Sequence, residues 1–141
     1  MAEGRLRLLA QDEDDLKVIS AAMQDAIVRM GDIAYDRKAR AFTLAANRYR
    51  WESGRRERIR AGLDISSVTG AQLRGLARQR PNAVANLLSV AFEPDAEPPS
   101  GTLRLTFSGD GEIALSVECL EVSLVDIGDP WRAKGKPRHE R

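Results

Sequence analysis

The sequence predicts an α+β fold dominated by antiparallel β-structure: about seven strands in a strongly bent sheet or small barrel, with one N-terminal helix at about residues 12–24. Three observations carry this. The stretch from Thr102 to Trp131 holds two alternating apolar runs flanking a Gly109-Asp110-Gly111 turn, the pattern of a hairpin. Between residues 26 and 92, further alternating runs follow one another across short polar connections. Near the start, Leu16, Ile19, Met23 and Ala26 recur at three- and four-residue spacing, one face of a helix. A pleckstrin-homology-like barrel is one architecture with this strand count, although its hallmark helix is C-terminal.

Taken in order, Arg5 to Ala10 (RLRLLA) reads as a short strand. Asp12 is suited to cap the helix by accepting from the amide of Asp15, and Glu13, Asp14 and Asp15 suit the positive end of its dipole. Ala26 to Tyr35 and Arg40 to Trp51 form a hairpin, with Gly31 as the expected bulge of its first strand. A polar loop at residues 52–57 precedes a cleanly alternating strand, Arg58 to Ile65. Val68 to Leu76 is a weaker strand, interrupted by Gly70 and Gly75. Val84 to Phe92 reads as a strand, and the proline-rich run from Glu93 to Gly101 as a surface loop. In the last hairpin the apolar parity changes at Cys119-Leu120; the β-branched content beyond it favours a bent strand over a helix. The expected organisation is one domain at residues 1–131 and a basic, disordered tail at 132–141.

Composition bounds the function. There is no apolar run long enough for a membrane helix, and the N-terminal segment lacks a secretory pattern, so a cytoplasmic protein with no membrane partner is expected. The single cysteine, Cys119, excludes an intramolecular disulfide framework, and its place among apolar residues points to packing. The single histidine, His139, lies in the tail, away from any nucleophile, and the shortage of His and Cys argues against a zinc site. The acids at 12–15 are read as helix-start residues, and the Ser108-Gly109-Asp110-Gly111 turn lacks the lysine and spacing of a phosphate loop. No cofactor is expected.

Net charge is +1, but its distribution is blocked. Residues 1–36 carry eight acids and four bases; residues 37–80 carry twelve bases and three acids. Residues 93–129 carry nine acids and one base, and the tail has five bases and one acid. Such blocks either expose one basic face to an anionic partner or neutralise one another in the fold.

The richest candidate site is the basic, aromatic-laced region 48–60. Arg48, Arg50, Arg55, Arg56, Arg58 and Arg60 can pair with phosphates, and Tyr49 or Trp51 can stack on bases. Strand alternation offers a competing reading, in which Tyr49 and Trp51 continue a buried face and the arginines lie on the wet face. A second candidate is C-terminal: Asp126, Asp129 and Trp131 form either a site or the capped exit of the last strand, since Asp-Pro pairs form turns.

The segments RLRLLAQDEDDLKVISAAMQDAIVRMGDIAY, RYRWE and IALSVECLEVSLVDIGDPW resemble an alphaproteobacterial family of domain-of-unknown-function proteins. The likeness spans nearly the whole chain. It implies a small, cytoplasmic, stand-alone bacterial protein and supplies no activity, cofactor or catalytic residue.

The sequence therefore points first to a non-enzymatic binding or adaptor domain engaging a protein partner or itself. The alternatives are polyanion or nucleic-acid binding through region 48–60, and an enzyme using Asp126 or Asp129 with an arginine as electrophilic partner.

Overall fold

The computed structural model describes residues 5–137. The elements in chain order are β1 (Arg7–Ala10), α1 (Glu13–Met23), β2 (Ala26–Asp36), β3 (Ala41–Tyr49), β4 (Glu57–Ile65), β5 (Val68–Arg74), β6 (Val84–Pro94), β7 (Gly101–Phe107), β8 (Glu112–Val117) and β9 (Val122–Arg132). Single 3-10 turns lie at Trp51–Ser53 and Ser108–Asp110. All nine strands join one sheet in the order β1-β9-β4-β3-β2-β6-β7-β8-β5, and every neighbouring pair is antiparallel.

The α+β class with mostly antiparallel strands holds, but there are nine strands where about seven were expected. Part of the difference lies at the parity change. Val117 ends β8 and Val122 begins β9, so residues 118–121 are a connection between two strands and not a bend within one. β8 pairs with β7 and β5, whereas β9 inserts between β1 and β4.

The sheet is strongly curled. β4 and β5 are third and ninth in the order, yet only Ser66 and Ser67 separate them. A flat sheet would put them about 29 Å apart, six spacings of roughly 4.8 Å, whereas two linking residues reach about 11 Å. The corner is held by Ser66 donating its amide to Glu121 O, Glu118 to Ser67 O and Val68 to Arg40 O. Tyr35 adds a hydroxyl bond to Val68 O. The sheet nevertheless does not close. Beyond Val68 a cavity of about 100 Å³ opens, lined by Ile33, Tyr35, Phe42, Ala71, Leu73 and Arg78.

The inner face is the core. Phe42, Leu44 and Ala46 of β3, Leu63 and Ile65 of β4, Leu103, Leu105 and Phe107 of β7, and Val122 and Leu124 of β9 are all buried in one cluster. Into it α1 sets Leu16, Ile19 and Met23. The helix starts as its sequence requires: Asp12 is extended and accepts the amide of Asp15 at 2.8 Å, and three acids fill the first turn. It packs against β6, β1, β3 and β9, and Ser20 Oγ accepts the amide of Val90 at 2.9 Å. Gly31 lies within the expected irregularity of β2, where the register with β3 shifts between Val28 and Ile33. Among the described residues no helix is long and apolar enough to cross a membrane.

β9 extends one residue past the boundary set at Trp131: Arg132 pairs in register with Glu57, and Ala133, which is buried, donates its amide to Arg56 O. His139 and the rest of 138–141 lie outside the described residues.

Tight approach at β7 gives a direct check of this packing. A Cβ on Gly101 would overlap Glu93 O and lie 2.6 Å from the Phe92 ring. Gly101→Ala is expected to lower unfolding free energy by about 1–3 kcal/mol, the usual cost of overpacking. Urea denaturation with an unchanged midpoint would contradict the packing at this strand.

Candidate basic and aromatic site

Six arginines of region 48–60 divide into two groups. The alternation of β3 decides the first. Phe42, Leu44 and Ala46 face the core, and two residues further on the same face carries Arg48. Its side chain is fully buried. The reading that set all the arginines on the wet face is corrected here: Arg48 shares the core parity. Tyr49, on the other parity, is also buried, because the Arg58 guanidinium lies over its ring at 5.7 Å and Trp51 packs beside it at 4.7 Å between centroids.

A buried guanidinium is tolerable only if its charge and all five N–H donors are met. Asp126 stands on the core parity of β9, two residues after Leu124, and supplies the fully buried counter-charge and two of the five acceptors. Arg48 Nε donates to Asp126 Oδ1 at 2.7 Å and Nη2 to Asp126 Oδ2 at 2.7 Å, a two-point fork. Glu52 takes Nη1 at 3.1 Å and Nη2 at 2.8 Å, and Tyr49 O takes the remaining Nη1 proton at 3.3 Å. Asp126 Oδ2 also accepts the amide of Leu6 at 2.7 Å, while Asp126 donates its own amide to Leu6 O. Two residues that the sequence placed in separate candidate sites are thus each other's partner.

The electrostatics follow from this geometry. Burial works against the charged form of Arg48, but the hydrogen bonds of Asp126 and Glu52 outweigh it and hold the guanidinium above its ordinary range. Burial would raise the Glu52 carboxyl, yet Arg48 hydrogen-bonds and attracts it strongly enough to hold it below the usual carboxylate value.

Three more arginines are also engaged. Arg50 bonds Glu57 and lies 3.7 Å from Glu52. Arg60 binds Asp32 at 2.9 Å and Asn47 Oδ1 at 3.2 Å. Arg58 donates to Asn47 O at 2.9 Å and to Asp25 O at 3.4 Å. Burial pulls Arg58 below its ordinary value, and the charges of Asp25 and Tyr49 restore only part of it.

The second group is Arg55 and Arg56. They follow Gly54, which turns the chain at φ 69°, and both are exposed with no carboxylate partner among the described residues. Because β4 pairs with the end of β9, Arg132 and Lys136 join them. Two clefts share Arg55 and Arg56. One, of about 150 Å³, is lined by Tyr49, Arg50, Trp51, Gly54 and Lys136 besides. The other, of about 370 Å³, adds Glu57 and Arg132. Trp51 is half-buried; its Nε1 donates to Gln24 O at 3.0 Å, and the Lys136 ammonium lies over its ring at 5.8 Å.

The charge blocks of the sequence largely meet in space. Arg40–Glu118, Arg48–Asp126 and Arg74–Glu112 join the central basic block to the acidic one after residue 93, and Arg60–Asp32 joins it to the first. Arg55 and Arg56, with Arg132 and Lys136, are left outside these pairs. Of the C-terminal candidates, Asp126 is buried, while Asp129 is exposed and bound to Arg5 at 2.7 Å. Trp131 is exposed, opposite Arg58 on the β4–β9 ladder. The structure does not gather these three into one site. Cys119 is half-buried in the connection after β8, 3.9 Å from Ser67 Oγ.

Residues 6–139 match a family model described as a protein of unknown function (DUF2948). The chain belongs to this family. No curated protein and no solved structure compared with it matches. In this DUF2948 member the burial of Arg48 has two measurable consequences. Asp126→Ala leaves Arg48 buried with three of its five hydrogen bonds and is expected to cost about 3–5 kcal/mol, whereas Arg48→Met with Asp126→Leu recovers most of that. Equal destabilisation in the single and double variants, by chemical denaturation, would rule out the pair as the cause. Glu52 has a folded-state pKa below its unfolded one, so its contribution is full above about pH 4.5 and is lost as pH falls through the lowered value. Acid unfolding of Glu52→Gln should therefore be less steep than that of the parent below pH 4.5, and identical profiles would exclude this coupling.

Proposed function

We propose that this protein is a binding domain that holds an anionic partner at the end of the β3–β4 hairpin. The carrying observation is the cluster of Arg55, Arg56, Arg132 and Lys136, four cations on one surface without carboxylate partners among the described residues. Nearly every other arginine near this end is engaged by an acid or a carbonyl of the fold. Clustered cations at the mouths of two clefts attract anions and gain affinity by releasing the ligand's counterions.

The free sheet edges support a protein partner less well. β1 has only four residues, and the start of β5 already bonds Arg40 O and Tyr35, which blunts both edges against strand addition. An anion surface needs no reacting group, and the reading asks none of Asp126 or Asp129.

Titration with heparin and with long-chain polyphosphate tests the proposal. Binding should weaken steeply as salt rises. Arg55→Glu with Arg56→Glu should reduce the slope of log affinity against log salt by roughly two, one for each lost contact. A flat titration of the parent protein at low salt, or a slope unchanged in the double variant, would overturn it.

A further inference from the structure

The two clefts differ in chemistry, and that difference selects among anions. The smaller is lined by Tyr49 and the half-exposed Trp51 among its cations, and the aromatic residues belong to it alone. The larger is lined by Arg55, Arg56 and Arg132, with one acid, Glu57, already bonded to Arg50. Arg55 and Arg56 border both. An aromatic recess walled by Trp51 therefore adjoins an arginine trough across two shared side chains.

Resting on the anion-binding reading, we infer that the ligand is single-stranded nucleic acid, with a base in the aromatic recess and the adjoining phosphates in the arginine trough. A polyphosphate or sulfated sugar can pair with the cations of both clefts but has no planar group to lay on Trp51. A nucleotide has both, and an unpaired strand can turn a base out of its stack, whereas a duplex keeps its bases paired. Trp51 is suited to this role because its ring is anchored. Nε1 is tied to Gln24 O at the end of α1, and Glu52, the next residue, is held by the buried Arg48. A pre-positioned ring loses little freedom on stacking. The Lys136 ammonium lies over the ring at 5.8 Å, and an incoming base takes that face as the lysine turns to the strand's phosphates.

The experiment compares a short oligothymidylate with a polyphosphate of matched charge and with a duplex of the same length. Trp131→Phe protein leaves Trp51 as the remaining tryptophan, since the chain has two. Its fluorescence should be quenched by the oligonucleotide and not by polyphosphate. Trp51→Ala should weaken oligonucleotide binding about tenfold or more, in keeping with one lost base stack, and weaken polyphosphate binding far less. Trp51→Phe should retain most of the affinity. Equal affinity for oligonucleotide and polyphosphate without quenching would overturn the assignment while leaving the anion surface standing, and so would a preference for the duplex. If none of the three binds, both readings fall. The quenching arm does not depend on the folding of the Trp51 variants.

Discussion

The buried pair of Arg48 and Asp126 organises this end of the molecule. The Arg48 guanidinium lies where the core parity of β3 puts it, and none of its donors can turn to water. Its partners come from three places: Asp126 on β9, Glu52 on the 3-10 turn, and the carbonyl of Tyr49 beside it. Asp126 extends the network to Leu6, the residue before β1. The strand order brings β1, β9, β4 and β3 side by side, so the pair ties first, third and last strands across β4. Because Glu52 belongs to the turn that carries Trp51, the same network sets where the aromatic recess stands.

Charge pairs of this kind are weak grounds for stability, because desolvation consumes much of their attraction. Their effect on specificity is clearer here. A slip of β9 by one residue would put Asp126 on the outer face and leave Arg48 without its two-point partner. The apolar residues of β9 would suffer the same reversal, so the charge and the hydrophobic pattern demand one register.

Much of the fold was legible because it is local. The cap at Asp12, the helix stripe and the β7–β8 hairpin follow from spacing and turn chemistry within a few residues. The parity of Arg48 and Asp126 was also present in the sequence: Phe42-Leu44-Ala46 and Val122-Leu124 each extend to them by steps of two. Residue type hid it, since a charged residue is ordinarily assigned to the wet face. What no local pattern contains is the insertion of β9 between β1 and β4. That pairing makes the change of parity at Cys119-Leu120 a change of neighbours, and it delivers Arg132 and Lys136 to the side of Arg55 and Arg56. The tail bases were visible as composition; their place beside the loop depends on long-range pairing.

The separation between Arg48 and its main counter-charge has a consequence for biosynthesis. Asp126 follows Arg48 by 78 residues. At ordinary translation rates of about 5–20 residues per second, roughly 4–16 seconds pass between the synthesis of the two. Throughout that interval the β3–β4 hairpin has Glu52 nearby but lacks the strand that completes its burial. The core around Arg48 can be sealed only when the last strand arrives, so burial of this charge is a late event of synthesis, however early β3 itself is made.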